Sequence, residues 1–143
     1  MGLCRSHPPA RVMRATDDER TTMTTEYIVA LYGDQTVWHG DDAPDRVPGY
    51  RVHETFGKAC AEAGHEIRDS AELHHSVSRV VRLRDGRVSV TDGPFAEPTE
   101  VLAGLYRIAT DDVEGLAALV GELVRGTGEV AEIRESLAPP DGF

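Results

Sequence analysis

Two side chains stand out as able to move a proton, His53 and Asp92. Imidazole is the side-chain group best matched to proton transfer near neutral pH, and a carboxylate beside it can orient the ring or share its proton. Such a pair suits acid/base chemistry on a small organic molecule: proton abstraction, isomerisation, elimination or hydrolysis. Trp38, Phe95, Glu97 and Glu100 are the residues that could line the cleft and contact a substrate. Two other readings stay open beside this one. The same pocket could serve a noncatalytic small-molecule-binding or regulatory module, or Asp92 could cap its own turn while His53 is a satisfied core histidine.

Other chemistry has less to stand on. His74 and His75 are adjacent in a stretch that reads as a strand, and neighbouring strand residues point to opposite faces, so they do not chelate one ion. His39 reads as a solvated loop residue, and His65 as a ring near the negative end of a helix dipole. The chain has no GxGxxG, P-loop, CxxC, HExxH or GxSxG motif. No metal and no cofactor are therefore expected.

The elements that must position the pair can be read from periodicity. His53 falls in a helix over residues 49–63, where Val52, Phe56, Ala59, Cys60 and Ala63 form one apolar stripe and Gly64 supplies a left-handed C-cap. It lies about 100° around that helix from Val52, at the border of the stripe. Asp92 ends a hairpin: Asp85-Gly86 supplies the positive φ of a two-residue loop, and Gly93-Pro94 stops the second strand.

Around these, residues 27–32 form an apolar central strand paired on both edges. Residues 66–74, 77–83 and 101–109 read as further strands. Gly104 inside the last of these marks a bulge or a close backbone approach. Asp111 and Asp112 open a second helix with Glu114 placed as in a capping box. Its stripe is Val113, Leu116, Ala117, Val120, Leu123 and Val124, it stops at Gly126 and Gly128, and a last strand covers residues 129–136.

With 143 residues the chain forms one domain able to bury a core without metal or disulfide support. Residues 1–24 read as an ill-ordered leader, or as sequence ahead of a natural start at Met23; 25–137 read as the domain and 138–143 as a tail. A formal net charge of −10 argues against nonspecific binding to nucleic acid or to an anionic membrane. Two widely spaced cysteines suggest neither a disulfide framework nor a thiolate metal site, which fits a reducing cytoplasm.

Asp92-Gly93-Pro94-Phe95-Ala96-Glu97, followed by Glu100, Leu102, Gly104 and Tyr106, resembles the DGPF motif of the YCII-related family, and the opening strand YIVALYGD matches it too. The resemblance spans roughly residues 26–137 and implies a ferredoxin-like α+β fold, a homodimer, and in a minority of members enzymatic activity through a proposed His-Asp pair. The histidine of that pair resembles His53 in its placement ahead of the helix-ending glycine. Pro98 and Thr99 stand where a Thr-Lys pair is common, and Ala103 where a second glycine is common, so no lysine-dependent role carries over.

The element order is independently that of an antiparallel plait with two helices on one face and an elaborated middle. Its other face keeps apolar residues, which pairing with a second copy would cover.

Overall fold

The computed structural model describes residues 11–15, 21–33, 47–74, 76–93 and 100–143. Its elements in chain order are β1 (Arg11–Ala15), β2 (Thr21–Gly33), α1 (Val47–Ala63), β3 (Glu66–Glu72), β4 (Arg79–Arg84), β5 (Arg87–Asp92), β6 (Val101–Thr110), α2 (Val113–Thr127) and β7 (Val130–Glu135). The body of the sheet runs β7, β2, β6, β3, with every neighbour antiparallel. That is the ferredoxin-like α+β arrangement expected from the element order. β2 is the central strand because it is the most continuously apolar, and it is paired with β6 along one edge and β7 along the other.

β1 pairs antiparallel with residues 21–25 of β2, beyond the point where β7 ends. Both strands of that pairing fall within or at the border of the stretch read from sequence as a leader, and β2 begins at Thr21, ahead of Met23.

Period-two alternation in β2 and β6 sends Val29, Leu31 and Ile108 to the helical side, where Phe56 and Cys60 of α1 and Leu116, Val120 and Leu123 of α2 meet them. All eight are essentially closed to water. Burial of a side chain of this size stabilises by roughly 1.5–3 kcal/mol, so this one cluster sets the body's geometry.

Local chemistry fixes the helix ends. Asp112 is the N-cap of α2, its Oδ1 accepting from the Gly115 amide at 2.9 Å. Gly115 thus occupies the position opposite the cap, and Glu114 is not part of a capping box. Gly128, left-handed at φ 76°, closes the helix with its amide on the Val124 carbonyl. Gly126 does not stop the helix as expected; it lies inside it, where a Cβ would come within 2.7 Å of Val52 Cγ1. It is the point at which α2 approaches α1.

Gly104 is a close-approach position. The pairing of β6 with β2 jumps from Leu31↔Gly104 to Tyr32↔Leu102, leaving Ala103 as the extra residue of a bulge. Ala103 turns its carbonyl to the Leu73 amide at 2.8 Å, and a Cβ on Gly104 would sit 2.8 Å from the Ala71 carbonyl oxygen.

β4 and β5 form a sheet of their own. The turn between them has Asp85 at φ 51° and Gly86 at φ 75°, the positive pair a primed hairpin turn needs. The hairpin is inserted between β3 and β6. Among the described residues neither of its strands packs substantially against a helix or against the main sheet.

Candidate functional site

α1 presents Tyr50, His53, Phe56 and Cys60 along the side that meets the sheet. His53 is half-buried, and its Nδ1 lies 2.6 Å from the hydroxyl of Tyr106 on β6. The two rings stack with centroids 5.8 Å apart and planes inclined by 29°. The Phe56 ring lies tilted at 58° to the phenol, with centroids 5.2 Å apart. Contacts with both His53 and Phe56 hold the Tyr106 ring, and Tyr106 in turn positions the imidazole. Among the described residues nothing hydrogen-bonds His53 Nε2.

Tyr106 takes this position because β6 alternation places it, with Ile108, on the helical side, where a phenol must find a polar partner. Burial pushes its pKa up to about 12, with further repulsion from Cys60 and from Glu129 at the α2–β7 junction. The phenol therefore stays neutral and can either donate or accept. When Tyr106 donates to Nδ1, Nε2 carries a proton; when Nδ1–H donates to the phenol oxygen, Nε2 is a bare base. The pair can serve either half of a proton transfer without creating a second charge. The Cys60 thiol is likewise pushed up to about 11 by burial, so it remains a neutral core group rather than a nucleophile.

Tyr50, one turn ahead of His53, donates its hydroxyl to the Glu72 carboxylate at the end of β3. This contact ties the start of α1 to the sheet on the side where the hairpin leaves it.

Asp92 is the last residue of β5, as expected, but its carboxylate lies 3.1 Å from Arg79 Nη1 on the facing strand. Among the described residues no hydrogen bond or ion pair joins it to His53. After it, the Gly93 amide bonds the Ser78 carbonyl at 3.2 Å, and a Cβ there would fall on Ser78 Oγ. The glycine of the motif is thus the residue that lets the hairpin's two ends cross. Glu100 is exposed just ahead of β6. Trp38, Phe95, Glu97 and His39 lie outside the described residues.

The two other described histidines, His65 and His74, have structural duties, while His7 and His75 lie outside the described residues. His65 is buried, with Nδ1 2.7 Å from Thr110 Oγ1, which also accepts from the Asp112 amide. Its ring is thus held by the β6–α2 connection rather than by a helix dipole alone. His74 Nδ1 accepts from the amides of Ser76 and Val77, shaping the entry to the hairpin.

Tyr106 is the site residue that sequence reasoning did not single out, although it lies within the motif stretch. The signal was available in the strand alternation, which gives it the same face as Ile108. Compared with models of known families the chain matches none, and no curated protein matches it.

Proposed function

We propose that this protein is a homodimeric member of the YCII-related family whose site carries out acid/base chemistry on a small organic molecule, with His53 as the proton-transferring group. The observation that carries this reading is the 2.6 Å contact between His53 Nδ1 and the Tyr106 hydroxyl, with Nε2 unpartnered among the described residues. In the catalytic step, Nε2 removes a proton from carbon or oxygen of the substrate while Nδ1–H donates to the phenol oxygen. The imidazolium so formed then returns the proton to the product. Tyr106 holds the ring as a carboxylate does in other acid/base pairs, but without charge. Asp92, at the root of the hairpin, pairs with Arg79.

The dimer is supported by the sheet face opposite the helices, where Ile28, Ala30, Tyr32, Leu102, Leu105 and Val130 alternate outward, and which neither α1 nor α2 covers. No helix among the described residues is long and apolar enough to cross a membrane.

The chemistry is tested by solvent deuterium incorporation into small enolisable carbonyl acids, such as acetoacetate, followed by proton NMR. Exchange above the buffer rate is expected with the native protein. It should be lost in His53→Gln and fall by roughly ten- to a hundredfold in Tyr106→Phe, with a shifted pH profile. Exchange unaffected by His53→Gln overturns the assignment.

A further inference from the structure

Two tyrosine hydroxyls tie α1 to the sheet, at helix positions one turn apart. Tyr50 donates to the Glu72 carboxylate on β3, and His53 Nδ1 meets the Tyr106 hydroxyl on β6 at 2.6 Å. Residues three apart on a helix share a face. On the sheet, Ser70 pairs with Tyr106 and Glu72 with Gly104, which makes Glu72 the diagonal same-face neighbour of Tyr106. Such neighbours in antiparallel strands are about 7–8 Å apart. Gly104 adds no side chain between them. Tyr50, His53, Glu72 and Tyr106 therefore frame one patch between α1, β3 and β6, and it holds a carboxylate as well as the imidazole.

The charge around this patch is of one sign. The arginines of its two strands, Arg68 of β3 and Arg107 of β6, are engaged on the opposite face of the sheet, where the buried Glu26 carboxylate lies 3.8 and 3.4 Å from them. On α1, Arg51 lies about 200° around the helix from His53, and Lys58 pairs with Glu54. Glu129 adds a second negative charge within electrostatic reach of Tyr106. A substrate carboxylate is best held by an arginine fork, and among the described residues no arginine or lysine pairs with His53 or Tyr106. A substrate cation, in contrast, finds a carboxylate already oriented. Glu72 presents about four acceptor sites, so the single donation from Tyr50 aims it without saturating it.

We infer that Glu72, oriented by Tyr50, selects the substrate: the site takes enolisable carbonyl compounds that carry a cationic amino group, with the Glu72 carboxylate beside the cation and His53 moving the proton. This rests on the acid/base reading above and names the substrate class within it. Acetoacetate, which brings a carboxylate of its own, then stands at the slow end of the series.

The test compares native full-length protein with Glu72→Gln, which keeps an acceptor for the Tyr50 hydroxyl and removes the charge. The probes are three ketones: acetonyltrimethylammonium, the neutral neopentyl methyl ketone of the same shape, and the anion acetoacetate. Binding is read from the NMR signals of the His53 imidazole, and turnover from deuterium incorporation relative to each compound's buffer rate. Native protein is expected to bind the cation roughly five- to tenfold more tightly than its neutral counterpart, and to exchange it fastest and acetoacetate slowest. Glu72→Gln should abolish the preference. Added salt should shrink it in native protein, a readout independent of the variant's folding. Equal binding of the cation and the neutral ketone, no binding of the cation at His53, or a preference unchanged by Glu72→Gln overturns the role of Glu72. In those cases exchange that is lost in His53→Gln leaves the acid/base reading standing. Cation binding that depends on Glu72, with no exchange of any of the three ketones, sustains the cation site and removes the acid/base reading instead.

Discussion

The central sheet and the β4–β5 ribbon are written in the same code and end in opposite environments. Both are antiparallel, and both line one face with branched aliphatics, although β2 is apolar on its other face as well. Val29 and Ile108 of the sheet are wholly buried, whereas Leu83 of the ribbon is 70% exposed. The difference lies in what is opposite them: α1 and α2 bring Phe56, Cys60, Leu116 and Leu123 down on the first set, while no described element packs substantially on the second. Alternation specifies a face, and a separate element must supply its cover.

The comparison breaks most readily by truncation. Leu116→Ala should cost about 2–5 kcal/mol, because the packed cluster cannot collapse around the lost volume, whereas Leu83→Ala in dilute monomer should stay within about 0.5 kcal/mol. Urea titration of both variants checks this. An equal loss at Leu83 would mean that the ribbon is packed within its own chain.

Gly104→Ala comes next. The added methyl meets the Ala71 carbonyl at 2.8 Å, a backbone atom that cannot rotate away, so a loss of about 1–3 kcal/mol is expected by the same titration. The ribbon contains no counterpart to that crowding. Asp112→Ala, which frees the Gly115 amide at the start of α2, should cost about 1 kcal/mol and lower the melting temperature by several degrees.

The body should also respond to alkali in a way the ribbon does not. Cys60 and Tyr106 hold their protons in the folded state up to about 11 and about 12, above their unfolded values. Between those limits the folded chain binds more protons than the unfolded one, so stability is intact below about pH 9 and falls as pH rises through 11 and 12. Denaturant midpoints measured from pH 8 to 12 should show the decline, and Tyr106→Phe should flatten its upper part. The smallest effect belongs to the ribbon: Arg79→Ala removes an ion pair whose partners are both largely exposed, and should change stability by about 0.2–1 kcal/mol, less in high salt.

Much of the body was legible before any coordinates. The apolar run of β2, the stripe of α1 ending at Gly64, and the Asp85-Gly86 turn are local patterns with local causes, and the bulge at Gly104 was signalled by a glycine within a strand. What was not legible depended on distant residues. Gly126 reads as a helix stop until Val52 of the other helix is beside it. Tyr106 reads as one aromatic among several until α1 brings His53 to its hydroxyl. The pairing expected for His53 drew on its border position, on the strand-end position of Asp92 and on a resemblance, whereas the partner that its Nδ1 meets in the structure lies on a strand fixed by its register with β2 and β3.

The place of β2 at the centre of the sheet also sets the order in which the molecule can assemble. Val29 pairs with Tyr106 and with Ile133, so beyond residues 21–25, which β1 meets, neither neighbour of the central strand exists until most of the chain has been synthesised. Closing contacts over such separations is slow. The β4–β5 hairpin needs only a two-residue turn and can close within roughly 1–10 μs of emerging. A nascent chain therefore displays its aliphatic ribbon well before its core has formed, and residues 27–33 of β2 wait with both edges open. During that interval the arginines along the ribbon act as gatekeepers, keeping its apolar face from pairing with other nascent chains.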